Sequence, residues 1–221
     1  MTSPDLVFAV GAQADYSELQ CSLRSADTHA DFGRAWLVGQ PPPWRKQIYL
    51  EQGRDKYANS TDCLIAACLD DRVTDPFYYW NDDFFMLDDN AITTWHRGDI
   101  AEHIRAIGQS NTYRSAGVKM HMLLEQLHIS TRYSYELHIP IAIYKADFIE
   151  AISVLREMGV QEHFKRTLYG NMARLGGDPR PDVKITGTGS GIPQDADWVS
   201  SSNNSFHQGE LGRQLRARFA T

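Results

Sequence analysis

Short apolar runs alternate with helical stretches over the first ninety residues, and this constrains the fold of the chain more than any other feature. Leu6-Val-Phe-Ala-Val10 is a run of apolar residues closed by Gly11, the pattern of a strand buried on both faces. Ser17–Ala26 reads as a helix, and Ala35-Trp-Leu-Val38, closed by Gly39, as a second buried strand. Pro41-Pro42-Pro43 then imposes an extended loop, because proline lacks the amide a helix needs and restricts the residue before it. Gln47–Leu50 is a third short strand, Ala58–Leu69 a helix with Asn59 near its start, and Phe77–Trp80 a fourth strand. Strand, helix, strand, helix, strand implies a mostly parallel sheet covered on both faces, with ligands collecting at the carboxyl ends of the strands. Gly11, Gly39 and Asn81 fall at such ends.

The second half is less regular. Met120, Leu123, Leu124 and Leu127 form a helical stripe, expected to lie in the core. Tyr133–Ile143 reads as extended, and Phe148, Ile152 and Leu155 mark another helix. Gly176–Pro181 is a turn-rich loop, Val183–Ile185 a short strand, and Leu211, Leu215 and Phe219 the apolar face of a last helix. The expectation is a single α/β domain over residues 1–221, with a regular half (1–112) and an irregular half (113–221).

Charge sharpens the functional reading. The net charge is −6, yet Asp62–Asp89 holds eight acids and one base, and the remainder holds 20 acids and 21 bases. A near-neutral chain with one local acidic cluster is not a general polyanion binder and suits a hard cation. No run of 18 apolar residues exists, so no membrane span is expected. Cys21, Cys63 and Cys68 form no metal spacing and read as buried thiols of a cytoplasmic protein.

The acidic pair Asp82-Asp83 stands between two aromatic clusters, Phe77–Trp80 and Phe84-Phe85. Carboxylates in apolar sequence need partners. They can cap a turn, or they can hold Mg²⁺ or Mn²⁺ on a diphosphate; the preceding strand and the surrounding acids favour the metal. His138, beside Pro140, reads as a base, a phosphate contact or a structural histidine. Arg24 can cap its helix or reach a phosphate, as can Arg54 and Lys56, with Asn59 and Asn81 as further donor contacts. His207 is a metal ligand or a first-turn residue of the last helix, which Asn203, Asn204 and Ser205 are suited to cap.

Taken together, several segments resemble the Stealth-type sugar-phosphate transferases and their GT-A-like glycosyltransferase relatives. Ser17-Glu-Leu-Gln-Cys-Ser-Leu-Arg-Ser25, then Trp36-Leu-Val-Gly-Gln-Pro-Pro-Pro-Trp44, then Trp80-Asn-Asp-Asp83 resemble the second conserved region of that family. His138-Ile-Pro-Ile-Ala-Ile-Tyr-Lys145 resembles the third, and Asn203-Asn-Ser-Phe206 with the helix after it the fourth. The resemblance implies a GT-A-like, Rossmann-like fold with a nucleotide-sugar-binding half (1–112) and an acceptor-side half (113–221), a nucleotide-diphosphate sugar donor such as a UDP-sugar, and Mn²⁺ or Mg²⁺ on the acidic motif. It places the metal on Asp83, the ribose or donor sugar at Asp82, the diphosphate at Arg24 and the acceptor near His138.

The chain lacks the family's first region, carries Asn203-Asn204 where acids are usual, and is short. These departures favour hexosyl transfer to a hydroxyl over sugar-1-phosphate transfer, and liken the chain to compact bacteriophage glycosyltransferases. A divalent-ion-dependent sugar- or nucleotide-binding module is the non-enzymatic alternative. The acceptor expectation is DNA bearing a hydroxymethylated pyrimidine, with protein or glycan next. Residues 114–221 carry 13 bases against 11 acids, Arg213, Arg216 and Arg218 recur on the last helix, and Trp95 and Tyr133 could stack on a flipped base.

Overall fold

The computed structural model describes residues 3–219 apart from 14, 30, 46, 90–93, 109 and 110. In chain order the first half holds β1 (Asp5–Val10), α1 (Ser17–His29), β2 (Ala35–Gly39), β3 (Ile48–Tyr49), α2 (Lys56–Leu69), β4 (Phe77–Trp80), β5 (Phe84–Met86), β6 (Trp95–His96) and α3 (Ile100–Ala106). The second holds α4 (Thr112–Gln126), β7 (Ile141–Ile143), α5 (Lys145–Glu157), a 3₁₀ turn at Glu162–Phe164, and α6 (Lys165–Met172). It closes with β8 (Asp178–Pro179), β9 (Lys184–Ile185), β10 (Trp198–Ser201), α7 (Asn203–His207) and α8 (Glu210–Phe219).

The main sheet runs β3-β2-β1-β4-β7. β1, β2, β3 and β4 are parallel, as the alternation of elements requires, and β7 closes the sheet antiparallel to β4. The fold class is therefore α/β with a mixed, mostly parallel sheet, compatible with a Rossmann-like arrangement.

The strands are apolar on both sides because both sides are covered. Successive side chains of a strand face opposite ways. Val7, Trp36, Val38, Phe77 and Tyr79 enter one core with α2, α4, α5 and α6. Leu6, Phe8, Val10, Leu37 and Trp80 enter another with α1 and β5. At the amino ends, the buried Asp5 carboxylate accepts from Arg34 N (2.6 Å), Trp36 Nε1 (2.8 Å) and Thr74 N (3.1 Å), tying β1 to β2 and to the approach to β4. Gly39 ends β2 at φ +119°, where a side chain would run into the Val10 carbonyl of β1.

A second, three-stranded sheet, β5-β10-β9, packs beyond β4 and carries a third core with α7 and α8. Ser202 opens α7 with a capping box to Ser205, rather than the asparagines that follow it. α7 and α8 are separate helices, packed so closely at Gly212 that a Cβ would overlap the Phe206 carbonyl.

Several local expectations need correction. α2 begins at Lys56 with Asp55 as its cap, ahead of Asn59. Met120, Leu123 and Leu124 are buried, but Leu127 follows the end of α4 and is 37% exposed. Of Tyr133–Ile143, only Ile141–Ile143 is strand; the rest is irregular chain pinned by side chains, as where Tyr133 N donates to Asn171 Oδ1 (2.9 Å). The loop 176–181 contains β8, paired with β6. All three cysteines are free and buried. No helix among the described residues is long and apolar enough to cross a membrane.

Candidate functional site

The chain leaving β4 turns at once. Phe84 N donates back to Asn81 O (3.2 Å), so Asp82 and Asp83 occupy a tight turn between β4 and β5. Ser22 of α1 fixes that turn: its hydroxyl donates to Phe84 O (2.5 Å) and accepts from Trp80 Nε1 (3.0 Å). The turn opens into a cavity of about 650 Å³ at the carboxyl ends of β1 and β4, where Gly11, Asn81, Asp82 and Asp83 all line it.

One wall of the cavity is acidic. Asp82 accepts a hydrogen bond from Gln13 of the loop after β1. Asp83 Oδ2 pairs with Lys184 Nζ (2.6 Å) and accepts from Ser200 Oγ (3.2 Å), so the small second sheet delivers a cation and a hydroxyl to the motif. Glu18, in the first turn of α1, accepts from Ser201 Oγ. Burial, and then the neighbouring Asp82 and Asp83 charges against a Ser201 hydrogen bond that opposes them, push the Glu18 carboxyl up to about 7. Asp82 is raised as well, by burial and by Asp83. Three carboxylates thus crowd around a single ammonium.

The opposite wall is basic. Lys56, Tyr57, Asn59 and Ser60 come from the start of α2, and His163, Lys165 and Arg166 from the 3₁₀ turn and the start of α6. Tyr57 stacks on His163 with ring centroids 3.9 Å apart, and Lys165 Nζ donates to Ser60 Oγ (2.8 Å). Arg166 donates to the Leu137 and Ile139 carbonyls (2.5 and 2.6 Å), which shapes the segment carrying His138. Glu136 is the carboxylate on this side and accepts from Thr167 N (3.0 Å) and Oγ1 (3.1 Å).

His138 lies between the walls. It follows Glu136 and Leu137 in the chain and meets Phe84 edge-on at 6.2 Å. Its Nδ1 bonds Asp182 Oδ2 (2.8 Å), while its backbone amide donates to Asp182 Oδ1 (3.0 Å). Arg97 holds Asp182 from the other side. Burial alone would raise Asp182, but the His138 hydrogen bond and charge, together with Arg97, bring its carboxyl down to about 2. A carboxylate fixing Nδ1 leaves Nε2 as the nitrogen open to a reacting group.

Of the residues singled out in the sequence, the fold brings Asn81, Asp82, Asp83, Lys56, Asn59 and His138 to this cavity. Within it, Asn59 braces the loop before α2, bonding Arg54 N (3.0 Å) and Arg54 O (2.7 Å). Arg24, Arg54 and His207 do not line the cavity. Arg24 donates to Phe219 O (2.8 Å) at the end of α8. Arg54 pairs with Asp62 (3.0 Å) and Glu162 (3.3 Å). His207 faces Asp15 at 3.8 Å. The metal expectation that joined His207 to Asp83 therefore reduces to Asp83. Among the described residues no group of three or more His, Cys, Asp or Glu side chains is arranged to hold a metal ion.

The arginines of α8 form no open strip. Arg216 donates to Phe206 O (2.6 Å), Arg218 to Leu87 O (3.1 Å), and Arg213 pairs with Glu210 (2.5 Å). Trp95 lies under Arg180 and Tyr133 stacks on His96 at 3.8 Å, both away from the cavity.

Glu18, Gln13, Lys184, Asp182, Lys165 and Arg166 escaped the sequence reading. The local signals available were the adjacent bases Lys165-Arg166 and the place of Glu18 within the Ser17–Ser25 motif.

Comparison of the chain with protein-family models and with curated proteins returned no match.

Proposed function

We propose that the protein is a metal-dependent glycosyltransferase that moves a hexose from a nucleotide-diphosphate sugar to an acceptor hydroxyl. The observation that carries this reading is the Asn81-Asp82-Asp83 turn at the carboxyl end of β4, beside the end of β1, opening into a polar cavity.

The donor set fits a hard divalent ion. Both hydrogen-bonded contacts of the Asp83 carboxylate fall on Oδ2, leaving Oδ1 without a partner among the described residues. Mg²⁺ and Mn²⁺ sites of this kind use one or two carboxylates plus phosphate oxygens. Asp83 would hold the ion, which neutralises charge on the leaving diphosphate, and Lys184 adds a second positive charge beside it. Asp82, held by Gln13, faces the donor sugar or ribose. In the transfer, the acceptor oxygen bonds to the anomeric carbon as the bond from that carbon to the diphosphate oxygen breaks. The hydroxyl proton passes to Nε2 of His138, whose imidazolium Asp182 stabilises. The nucleoside diphosphate leaves with the bonding electrons.

The test is titration of nucleoside diphosphates into wild type and Asp83→Asn, with and without Mn²⁺. The expected outcome is Mn²⁺-dependent binding that falls at least about tenfold in the variant, the loss of one charged ligand. Equal affinity with and without Mn²⁺ removes the metal role. Product mass then separates hexosyl transfer from sugar-1-phosphate transfer, which adds one further HPO₃ unit. Binding without nucleotide release from a sugar donor would leave a binding module.

A further inference from the structure

The basic wall carries more positive charge than its carboxylates neutralise. Lys165 is 4% exposed and Arg166 is 7% exposed, so both charges are held away from bulk water. Of the carboxylates near them, Glu162 and Asp55 are engaged elsewhere through one oxygen each, Glu162 Oε2 staying buried without a hydrogen-bond partner among the described residues. Glu162 Oε1 pairs with Arg156 (3.0 Å) and Arg54 (3.3 Å). Asp55 caps α2 through the Tyr57 and Ala58 amides. Glu136 accepts two bonds from Thr167 and is the one acid left facing both cations. An ammonium has three protons to donate, and Lys165 Nζ gives one to Ser60 Oγ, with no second acceptor among the described residues. Lys56 reaches the same wall from the exposed start of α2, its Nζ 4.9 Å from the Tyr57 ring centroid. Burial pushes the Lys165 amine down to about 8, the response of a cation lacking a full set of partners.

The two walls also differ in the charges nearest to them. Glu18 responds to Asp82, Asp83 and Lys184, while Lys165 responds to Glu136, Arg166, Glu162 and Asp55. A metal–diphosphate unit on the acidic wall leaves the basic wall unfilled, and a buried surplus cation in a cavity is stabilised by an anion.

We propose that Lys165 and Lys56 form an anion subsite for the acceptor, which therefore carries a phosphate or carboxylate group, with Arg166 supplying fixed positive charge behind them. The Tyr57–His163 stack flanks this subsite and offers an aromatic surface to the acceptor's sugar ring or chain. The assignment of the anion to the acceptor rests on the transferase reading; the subsite itself does not.

The experiment is calorimetric titration of glucose, glucose 6-phosphate and glucuronate into wild type, Lys56→Ala, Lys165→Met and Asp83→Asn, beside Mn²⁺–nucleoside diphosphate. Glucose 6-phosphate or glucuronate is expected to bind wild type at least about tenfold more tightly than glucose, the scale of one hydrogen bond to a charged group. The phosphate and carboxylate arms tell which anion the wall prefers. Lys56→Ala and Lys165→Met are each expected to abolish that preference and Asp83→Asn to keep it; Lys56, a candidate diphosphate contact in the sequence, is reassigned here to the acceptor anion, so both lysine variants are expected to bind nucleoside diphosphate as wild type does. Lys56 is exposed, so its variant carries the test if Lys165→Met fails to fold. Equal binding of charged and neutral sugars overturns the proposal, as does a loss in the lysine variants that falls equally on the nucleoside diphosphate. If the charged sugar binds and no nucleoside diphosphate does, the transferase reading fails and the anion subsite stands.

Discussion

His138 shows how much a single partner decides. Next to a proline in an extended segment, the residue could be base, phosphate contact or structural group; Asp182, 44 positions later, fixes its orientation by taking Nδ1 and the backbone amide together, the arrangement the proposed base role requires. The same pair predicts a pH signature. Asp182 stands at about 2 in the folded state against 3.8 ordinarily, so it contributes about 2 kcal/mol of stability at neutral pH. Because the folded value is depressed, that contribution is complete above about pH 4 and is lost as pH falls through about 2. Asp182→Asn should remove this acid-side slope from denaturant unfolding curves measured across pH. It should also lower turnover by about a hundredfold, the scale of general-base catalysis, with nucleoside diphosphate affinity unchanged. Unchanged turnover with the same loss of stability would make His138 structural.

At the scale of elements, the strands were legible and the helix starts less so. β1, β2, β3 and β4 lie where the apolar runs placed them, because a strand buried on both faces is continuous in apolar residues. α2 started earlier than read because Asp55, not Asn59, satisfies its first amides. The helix is nucleated by that cap although Lys56 and Tyr57 are not in its apolar stripe. Asp55→Ala is expected to cost about 1 kcal/mol, visible as a lower urea midpoint at unchanged slope. A midpoint that stays put would mean that packing alone sets the start of α2. Asn81-Asp82-Asp83 lies at the strand end where the sequence put it, but the turn it forms is held by Ser22 of α1, invisible at the level of one element.

For the whole molecule, the division at residue 112 marks a change of pattern rather than a boundary of stability. The larger core joins Val7, Trp36, Val38 and Leu64 of the first half to Met120, Leu124, Phe148, Ile152 and Leu168 of the second. β7 supplies the last strand of the main sheet. The cavity is likewise shared, with Asp83 from one half and Lys184, His138 and Lys165 from the other. A fragment of residues 1–112 should therefore show no cooperative thermal transition, because its share of that core would face water and the open edge of β4 would lack its partner. A sharp transition in the isolated fragment would establish an independently folding unit.

The order of elements in the first half, the two-sided burial of its strands and the position of Asn81-Asp82-Asp83 at a strand's end were all decided locally. Each follows from apolar periodicity and from residues adjacent along the chain, and both are properties of the sequence itself. The direction of β7, the loss of Arg24, Arg54 and His207 to other contacts, the convergence of Glu18, Lys184, Lys165 and Arg166 on one cavity, and the pairing of Asp182 with His138 were decided only by the tertiary structure. Charged residues carry no periodic signal that separates a solvated face from a cavity wall. Lys184 is 101 positions from Asp83, and Lys165 is 105 from Ser60. Which charge meets which is set when packing of the apolar faces closes those distances.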